Sequence, residues 1–206
     1  TCRIIDVPAS TGYGEPIQRL FKFKDGERVV AAMSLDARVA GDIKPKAEGE
    51  PAPVHAVAVT SDGYALRFGL DGFVEVSTRA GRRYARPADG AEVVGVDRVT
   101  GRETIIAATA RARGMLCPAE EVNYLAGPGK GVILIKLDDE DKVLGFIAST
   151  GDRDLLTVET TRGAEQTVST GKYDVTGRGG KGRELLQRGG FTRIVWPTPP
   201  APQPLS

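Results

Sequence analysis

Residues 133–144 read ILIKLDDEDKVL, and an earlier stretch of the same chain, residues 20–30, reads LFKFKDGERVV. An offset of 114 residues places Leu20 on Leu134 and Val29 on Val143. In both stretches apolar residues lead into an acidic turn and apolar residues follow it, which is typical of a hairpin between two β-strands. The two stretches therefore predict an internal repeat of β structure.

The interval of this repeat is about 50 residues. The segment DGAEVVGV at residues 89–96 repeats the second half of the pattern, and Val94 lies 50 residues before Leu144. Lysines and glycines recur at similar spacings: Lys130 and Lys181 are 51 residues apart, and Gly63, Gly114 and Gly163 follow apolar strands at intervals of 51 and 49 residues. A unit of this length accommodates a four-stranded blade, which cannot cover both faces of its own sheet. We therefore expect blades stacked radially in a propeller-like arc or ring.

The composition supports an all-β fold. The chain has 26 glycines and 13 prolines in 206 residues, and no stretch sustains the apolar period of a long helix. We predict one domain over residues 1–196 with four units, the first shortened at its start, at about residues 1–40, 54–100, 101–150 and 151–196. A Pro/Gly-rich loop at residues 41–53 separates the first two units. The Pro-rich tail at residues 197–206 is expected to be disordered or extended.

The net charge, the two cysteines and the length of the apolar runs limit the kinds of function that this chain can have. The net charge is only +1, so any nucleic-acid site must arise from local clustering of basic residues. Cys2 and Cys117 form no CxxC pair and are expected to be reduced packing residues. Because no apolar run approaches the roughly 20 residues that span a bilayer, we expect no membrane contact and a cytoplasmic piece of a larger protein.

Three units each contain a basic loop with glycines: GRRYAR at 81–86, GPGKG at 127–131 and TGRGGKGR at 176–183. Glycines let the backbone approach a ligand, and Arg and Lys supply the charge that phosphates need. Because equivalent loops of a radial repeat lie on one rim, we predict a curved cationic track for duplex DNA. Its expected side chains are Arg178, Lys181, Arg183, Lys130, Arg82, Arg83, Arg86 and Lys172, and its loop glycines are Gly127, Gly129, Gly131, Gly177, Gly179, Gly180 and Gly182. Taken singly, each loop also fits a solvated turn.

Other chemistries have weaker support. Gly177, Gly179 and Gly182 satisfy GxGxxG, but no crossover helix follows them, and the chain has no GxxxxGK[ST] sequence. His55 is the only histidine, and DDED at residues 138–141 is expected to be a solvated turn rather than a metal site. We therefore predict no catalytic residue, no metal site and no cofactor in this domain.

The segments GPGKGVILIKLDDEDKVLGF, LLTVETTRG and TGRGGKGREL resemble the C-terminal domain of the A subunits of bacterial type IIA topoisomerases, DNA gyrase and topoisomerase IV. GEPIQRLFKFKDGERVV at residues 14–30 fits the same family. The resemblance implies a β-pinwheel, a propeller-like fold of about four blades here, whose rim binds and bends duplex DNA without sequence specificity. It also implies two partners, which would be an ATPase B subunit together with the remainder of the A subunit. ATP and Mg would be needed only in the parent complex, and the protein would be cytoplasmic and nucleoid-associated.

One motif departs from the family pattern. The gyrase box reads Gln-Arg-Arg-Gly-Gly-Arg/Lys-Gly, whereas Thr176 and Gly177 replace its first two residues here and the box lies in the last unit. This departure favours a topoisomerase IV-like subunit, or a divergent gyrase with fewer blades, over gyrase-style wrapping and supercoiling. The same repeat would also support a propeller used as a platform for protein docking, which stays open as the alternative.

Overall fold

The computed structural model describes residues 1–7 and 16–197. These residues form β1 His55–Thr60, β2 Tyr64–Phe68, β3 Val93–Val99, β4 Thr104–Thr109, β5 Arg113–Pro118, β6 Tyr124–Leu125, β7 Val132–Ile133, β8 Val143–Ser149, β9 Leu156–Thr160, β10 Glu165–Val168, β11 Arg183–Glu184 and β12 Phe191–Ile194. Helix α1 spans Ala37–Ala40, and short 3-10 helices span Ile4–Asp6, Ile17–Arg19, Asp71–Phe73 and Ala119–Glu121. In the described ranges no helix is long and apolar enough to cross a membrane. The all-β prediction is confirmed.

The strands form three sheets that are assembled in the same way. A hairpin lies at the centre of each sheet: β1–β2, β4–β5 and β9–β10. The first strand of each hairpin pairs with a strand further down the chain, which is β3, β8 or β12. In the first two sheets, β7 and β11 of the following unit pair with the second strand of the hairpin, and β6 joins β2 in parallel. Each of these two sheets is therefore completed by residues of the next unit.

The interval between equivalent strands agrees with the sequence repeat. The hairpins begin at residues 55, 104 and 156, and the strands that pair with their first members begin at residues 93, 143 and 191. The pairing register also shifts at matching positions, between Val59 and Thr60 in the first sheet and between Ala108 and Thr109 in the second. The predicted unit of about 50 residues is thus a unit of structure.

The expected equivalence of Gly114 with Gly63 and Gly163 is wrong. The hairpin turns place Gly63, Ala112 and Gly163 at the matching position, with φ values of 82°, 56° and 80°. Gly114 instead lies inside β5. The position needs a left-handed backbone, and Ala112 adopts it without being glycine, so glycine spacing alone missed it by two residues.

The sheets pack face to face and bury two apolar layers. The first layer includes Val57, Ile105 and Leu134 between the first and second sheets. The second includes Ile106 and Leu156 between the second and third sheets. All six residues of β1 are buried, whereas burial alternates along β9 because the outer face of the third sheet is polar. Among residues 16–197 the third sheet is therefore the last of the stack.

The N-terminal part covers the other end of the stack. Residues 16–54 form no strand, and Met33, Leu35, Ala40 and Ile43 pack on the outer face of the first sheet. The expected first unit, at about residues 1–40, thus forms no sheet in its described ranges. The resemblance at residues 14–15 and the tail from residue 198 lie outside the described residues.

A buried polar cluster joins the first sheet to the loop after β5. The Arg67 guanidinium donates to the carbonyl oxygens of Val122 at 2.6 Å and Glu120 at 3.2 Å. Its third hydrogen bond, of 3.1 Å, goes to Nε2 of His55, whose Nδ1 lies 2.9 Å from the carbonyl oxygen of Ala52. Nδ1 therefore carries the proton. Burial lowers the pKa of His55, and the positive charge of Arg67 also lowers it.

Candidate nucleic-acid interface

The three basic loops are joined in series along one edge of the structure. In or just before each loop, a backbone carbonyl accepts a hydrogen bond from an N–H of another segment. The three bonds run from Lys22 to Arg79 at 3.1 Å, from Arg86 to Gly129 at 2.8 Å and from Lys136 to Gly180 at 2.8 Å. Residues 79–86, 127–131 and 176–183 therefore lie beside one another in chain order, and we call them the loop edge. This arrangement agrees with the predicted common rim.

At two positions of these loops glycine is required, because the backbone of another segment lies too close to leave room for a Cβ. Gly131 has a φ of 83°, and a Cβ there would overlap the carbonyl oxygen of Ala65. Gly182, 51 residues later, has a φ of 69°, and a Cβ there would lie 2.6 Å from the carbonyl oxygen of Gly114. Both glycines let an edge strand, β7 or β11, approach the neighbouring hairpin.

The other predicted glycines differ in their surroundings. A Cβ would meet the Leu125 side chain at Gly129 and the Glu121 carboxylate at Gly177, whereas it would have open space at Gly127 and only ordinary van der Waals contacts, at 3.9 Å, at Gly180. Gly179 has a φ of 80° and donates its N–H to the carbonyl oxygen of Leu134 at 2.7 Å. The loop glycines thus serve mainly the packing of one repeat on the next.

Arg178 ties three segments together. Its backbone N–H donates to the carboxylate of Glu121 at 2.9 Å, and its Nε donates to the carbonyl oxygen of the same residue at 2.7 Å. Its Nη1 donates to the carbonyl oxygen of Ile133 in β7 at 3.3 Å. All these guanidinium partners are carbonyls of the protein itself, so Arg178 stabilises the contact between consecutive units.

The remaining cations of this loop have carboxylate partners. Nζ of Lys181 lies 2.9 Å from Oδ1 of Asp138, and this hydrogen bond lowers the pKa of Asp138. Arg183 pairs with Asp174 at 3.3 Å, and its guanidinium lies 5.8 Å from the ring centre of Tyr173. Nζ of Lys172 lies 5.4 Å from the same ring centre. DDED is thus a turn, as expected, but its first residue anchors the GRGGKG loop.

The other two loops divide into paired and unpaired cations. Nζ of Lys130 lies 3.9 Å from Asp62 and 3.9 Å from the ring centre of Tyr64. Arg82 donates to the carbonyl oxygen of Gly72 and lies 3.8 Å from Glu75. Arg83 and Arg86 are exposed, and their side chains have no hydrogen-bond or ion-pair partner in the part of the chain that the structure describes. These two are already available to a ligand.

Sequence reasoning missed two further cations on this edge. Lys22 and Lys136 are exposed, and within the described ranges their side chains are also unpartnered. Both donate backbone hydrogen bonds that define the loop edge. The signal was present, because Lys136 follows Arg86 by 50 residues and Lys22 precedes Lys136 by the 114 residues of the first repeat.

The loop edge offers chemistry suited to an anion with many charges. Its ion pairs lie at the surface, and such pairs contribute about 0–1 kcal/mol each to stability. Arg, Lys and exposed backbone N–H groups are the usual ligands of the nucleic-acid backbone. The edge thus fits a polyanion without requiring a rearrangement of the sheets.

Among residues 1–7 and 16–197, no three His, Cys, Asp or Glu side chains are grouped so that they could hold a metal ion. Burial raises the pKa of Cys117 to about 12, so its thiol stays protonated and acts as a packing group.

Comparison with known proteins identifies related sequences. A family model described as DNA gyrase C-terminal domain, β-propeller, matches residues 55–100 and 103–150. The chain is 26% identical to the A subunit of DNA gyrase from Escherichia coli (strain K12) over 182 residues, which are 87% of this chain and 19% of that protein. It is 28% identical to the gyrase A subunit of Aminobacterium colombiense over 191 residues, which are 92% of this chain and 21% of that protein. The chain thus spans about a fifth of the length of these curated relatives.

Solved structures show the same architecture. The C-terminal domain of DNA topoisomerase IV matches with a TM-score of 0.72 and 17% identity over 88% of this chain and 53% of that chain. The E. coli ParC C-terminal domain matches with a TM-score of 0.65 and 17% identity over 93% of this chain and 74% of that chain. Together with the family model, these matches confirm the predicted β-pinwheel, propeller-like fold and the resemblance stated from the sequence.

Proposed function

We propose that this chain binds and bends duplex DNA as part of the A subunit of a type IIA topoisomerase, because two of its repeats match the family model described as DNA gyrase C-terminal domain, β-propeller. The observation that supports this most is the loop edge, where the first basic loop is hydrogen-bonded to the second, and Lys136, five residues after the second loop, is hydrogen-bonded to the third. One continuous edge can contact successive phosphates, whereas three separated loops could not. The net charge of +1 is no obstacle, because phosphates respond to local charge at distances within about 10 Å.

Binding is expected to be independent of sequence. The loop edge presents Arg, Lys and glycine backbone, which are phosphate ligands, and its β-strands there are only two residues long. Base edges are usually read by a helix or a two-stranded ribbon that enters the major groove. Contacts to the phosphates alone therefore account for the proposed binding.

The parent protein would supply the chemistry. The remainder of the A subunit would carry the active-site tyrosine, an ATPase B subunit would hydrolyse ATP with Mg, and this domain would act in the bacterial cytoplasm at the nucleoid. It would need no cofactor or metal of its own. Thr176 and Gly177 in place of the first two box residues favour a topoisomerase IV-like task over gyrase-style wrapping and supercoiling.

Titration of a fluorescent duplex with the chain at several salt concentrations tests this function. If phosphates are the ligands, log K falls linearly with log salt, by about 0.9 for each phosphate contact, and duplexes of unrelated sequence bind equally. Binding that does not change with salt, or no binding at low salt, would contradict the proposal. Either result would favour the protein-docking platform instead.

A further inference from the structure

We infer that three cations outside the box motif make the main phosphate contacts of this edge: Lys22, Arg86 and Lys136, here called the cation row. Arg178 and Lys181 instead hold consecutive units together, and Arg183 pairs with Asp174 of its own unit. This inference rests on the proposed function, since it assigns the residues that would perform it. It also reverses the ranking that the motif GRGGKG suggests.

Equivalent backbone geometry places the cation row. Each of its members donates its backbone N–H to the carbonyl oxygen of the residue that lies two positions before a positive-φ glycine. Those glycines are Gly81, Gly131 and Gly182, with φ values of 73°, 83° and 69°. Because the same backbone hydrogen bond is made at all three positions, one side chain of the cation row projects from the loop edge in each unit. A repeated cation on a repeated edge suits a ligand whose charges also repeat.

Availability separates the row from Arg178 and Lys181. All three row side chains are exposed and unpartnered in the described ranges. Arg178 is bonded to carbonyl oxygens at 2.7 Å and 3.3 Å, and Lys181 is bonded to a carboxylate at 2.9 Å. A phosphate that used Arg178 would leave the carbonyls of Glu121 and Ile133 without their donor. In the described ranges, a phosphate that binds Lys22, Arg86 or Lys136 breaks no hydrogen bond of those side chains.

The paired lysines prepare the edge for a polyanion in another way. Asp138 lies two residues after Lys136, and its negative charge would repel a phosphate bound there. Lys181 at 2.9 Å and Arg113 at 3.8 Å offset that charge. Lys130 lies 3.9 Å from Asp62 and has the same effect at the preceding unit. The loop lysines thus neutralise carboxylates, and the row is left to contact DNA.

The row has a neutral fourth position. The N–H of Leu134 donates to the carbonyl oxygen of Gly63 at 2.8 Å, and the N–H of Leu185 donates to that of Ala112 at 2.8 Å. Leu185 is therefore the equivalent of Leu134, and Gln187, two residues later, is the equivalent of Lys136. Gln187 is exposed and uncharged. The third repeat consequently offers a place where a row cation can be added.

The test compares charge variants of the whole chain by the same duplex titration. Arg86→Gln/Lys136→Gln removes two row cations, and we expect the log–log salt slope to fall by about 1.8 and affinity to fall roughly 30-fold near physiological salt. Lys181→Gln/Arg183→Gln removes the same charge from the loop at residues 176–183 and should weaken binding less than about 5-fold. Arg153→Gln/Arg162→Gln, two exposed arginines outside the loop edge, is the matched control and should bind like the native chain.

A gain-of-charge variant guards against effects on folding. Gln187→Lys should raise the slope by about 0.9 and tighten binding roughly 5-fold, while thermal melting stays unchanged. If Arg86→Gln/Lys136→Gln binds DNA like the native chain while Lys181→Gln/Arg183→Gln loses affinity, the assignment of the cation row is wrong and the proposed function still stands. Absence of salt-dependent binding by the native chain would instead remove the proposed function itself.

Discussion

His55 is the only histidine of the chain, and its buried position makes one pH dependence easy to isolate. Burial holds the pKa of His55 below 6.5 in the folded chain, so between that lowered value and pH 6.5 the unfolded chain binds a proton that the folded chain lacks. Stability is therefore complete above pH 6.5 and falls as the pH is lowered past it, by at most about 1.4 kcal/mol per pH unit.

Denaturant unfolding between about pH 7.5 and about pH 5.5 measures this loss. His55→Gln removes the titrating group, and we expect the stability of this variant to change less with pH than that of the native chain. Equal slopes in the two proteins would contradict the assignment. Protonation would also place a positive imidazolium beside Arg67, which now donates to Nε2.

The clustering of residue types predicted which loops are basic better than it predicted which groups their side chains contact. The basic loops were recognised because Gly, Arg and Lys cluster at a fixed interval. The partner of Arg178, however, is Glu121, which lies 57 residues away, and that of Lys181 is Asp138, which lies 43 residues away. Such pairs depend on which strands become neighbours, and a local sequence pattern contains no information on that.

Within single elements, the two ends of the GRGGKG loop should respond differently to one added methyl group. Gly182→Ala would force a left-handed alanine and bring its Cβ to 2.6 Å from the carbonyl oxygen of Gly114 beside β11. We expect a loss of about 2 kcal/mol in the free energy of unfolding. Gly180→Ala, where a Cβ makes only ordinary van der Waals contacts at 3.9 Å, is the control and should change stability by less than about 0.5 kcal/mol.

Chemical denaturation of the two variants measures the difference. Equal losses would show that the loop tolerates a side chain at both positions and that the close approach of β11 is not required. The regular spacing of Gly131 and Gly182 could be seen in the sequence, but the reason why glycine is needed at these positions could not. It lies in β7 and β11, which leave their own unit to pair with the preceding hairpin.

For the whole molecule, the proposed function predicts a bent DNA. Consecutive loops belong to consecutive repeats of a propeller-like stack, so a duplex that contacts all of them must follow the loop edge around it. Energy transfer between dyes at the two ends of a duplex of about 30 base pairs should increase when the chain binds, because bending brings the ends closer. A duplex with a flexible mismatch at its centre should bind more tightly, since bending the intact duplex costs about 1–6 kcal/mol. Unchanged energy transfer at saturation would indicate a straight complex.

Because the first two sheets are each completed by strands of the next unit, the order of synthesis decides when each sheet can be completed. The hairpin of β1 and β2 ends at Phe68, but its sheet receives its last strand only at Ile133. At a synthesis rate of about 5–20 residues per second, this hairpin would wait roughly 3–13 s on the ribosome with unpaired edges. The next hairpin, β4 and β5, ends at Pro118 and waits in the same way for Glu184. During synthesis, each sheet is therefore still open when the following one begins, and translation speed becomes a determinant of whether the repeats pair in the correct order.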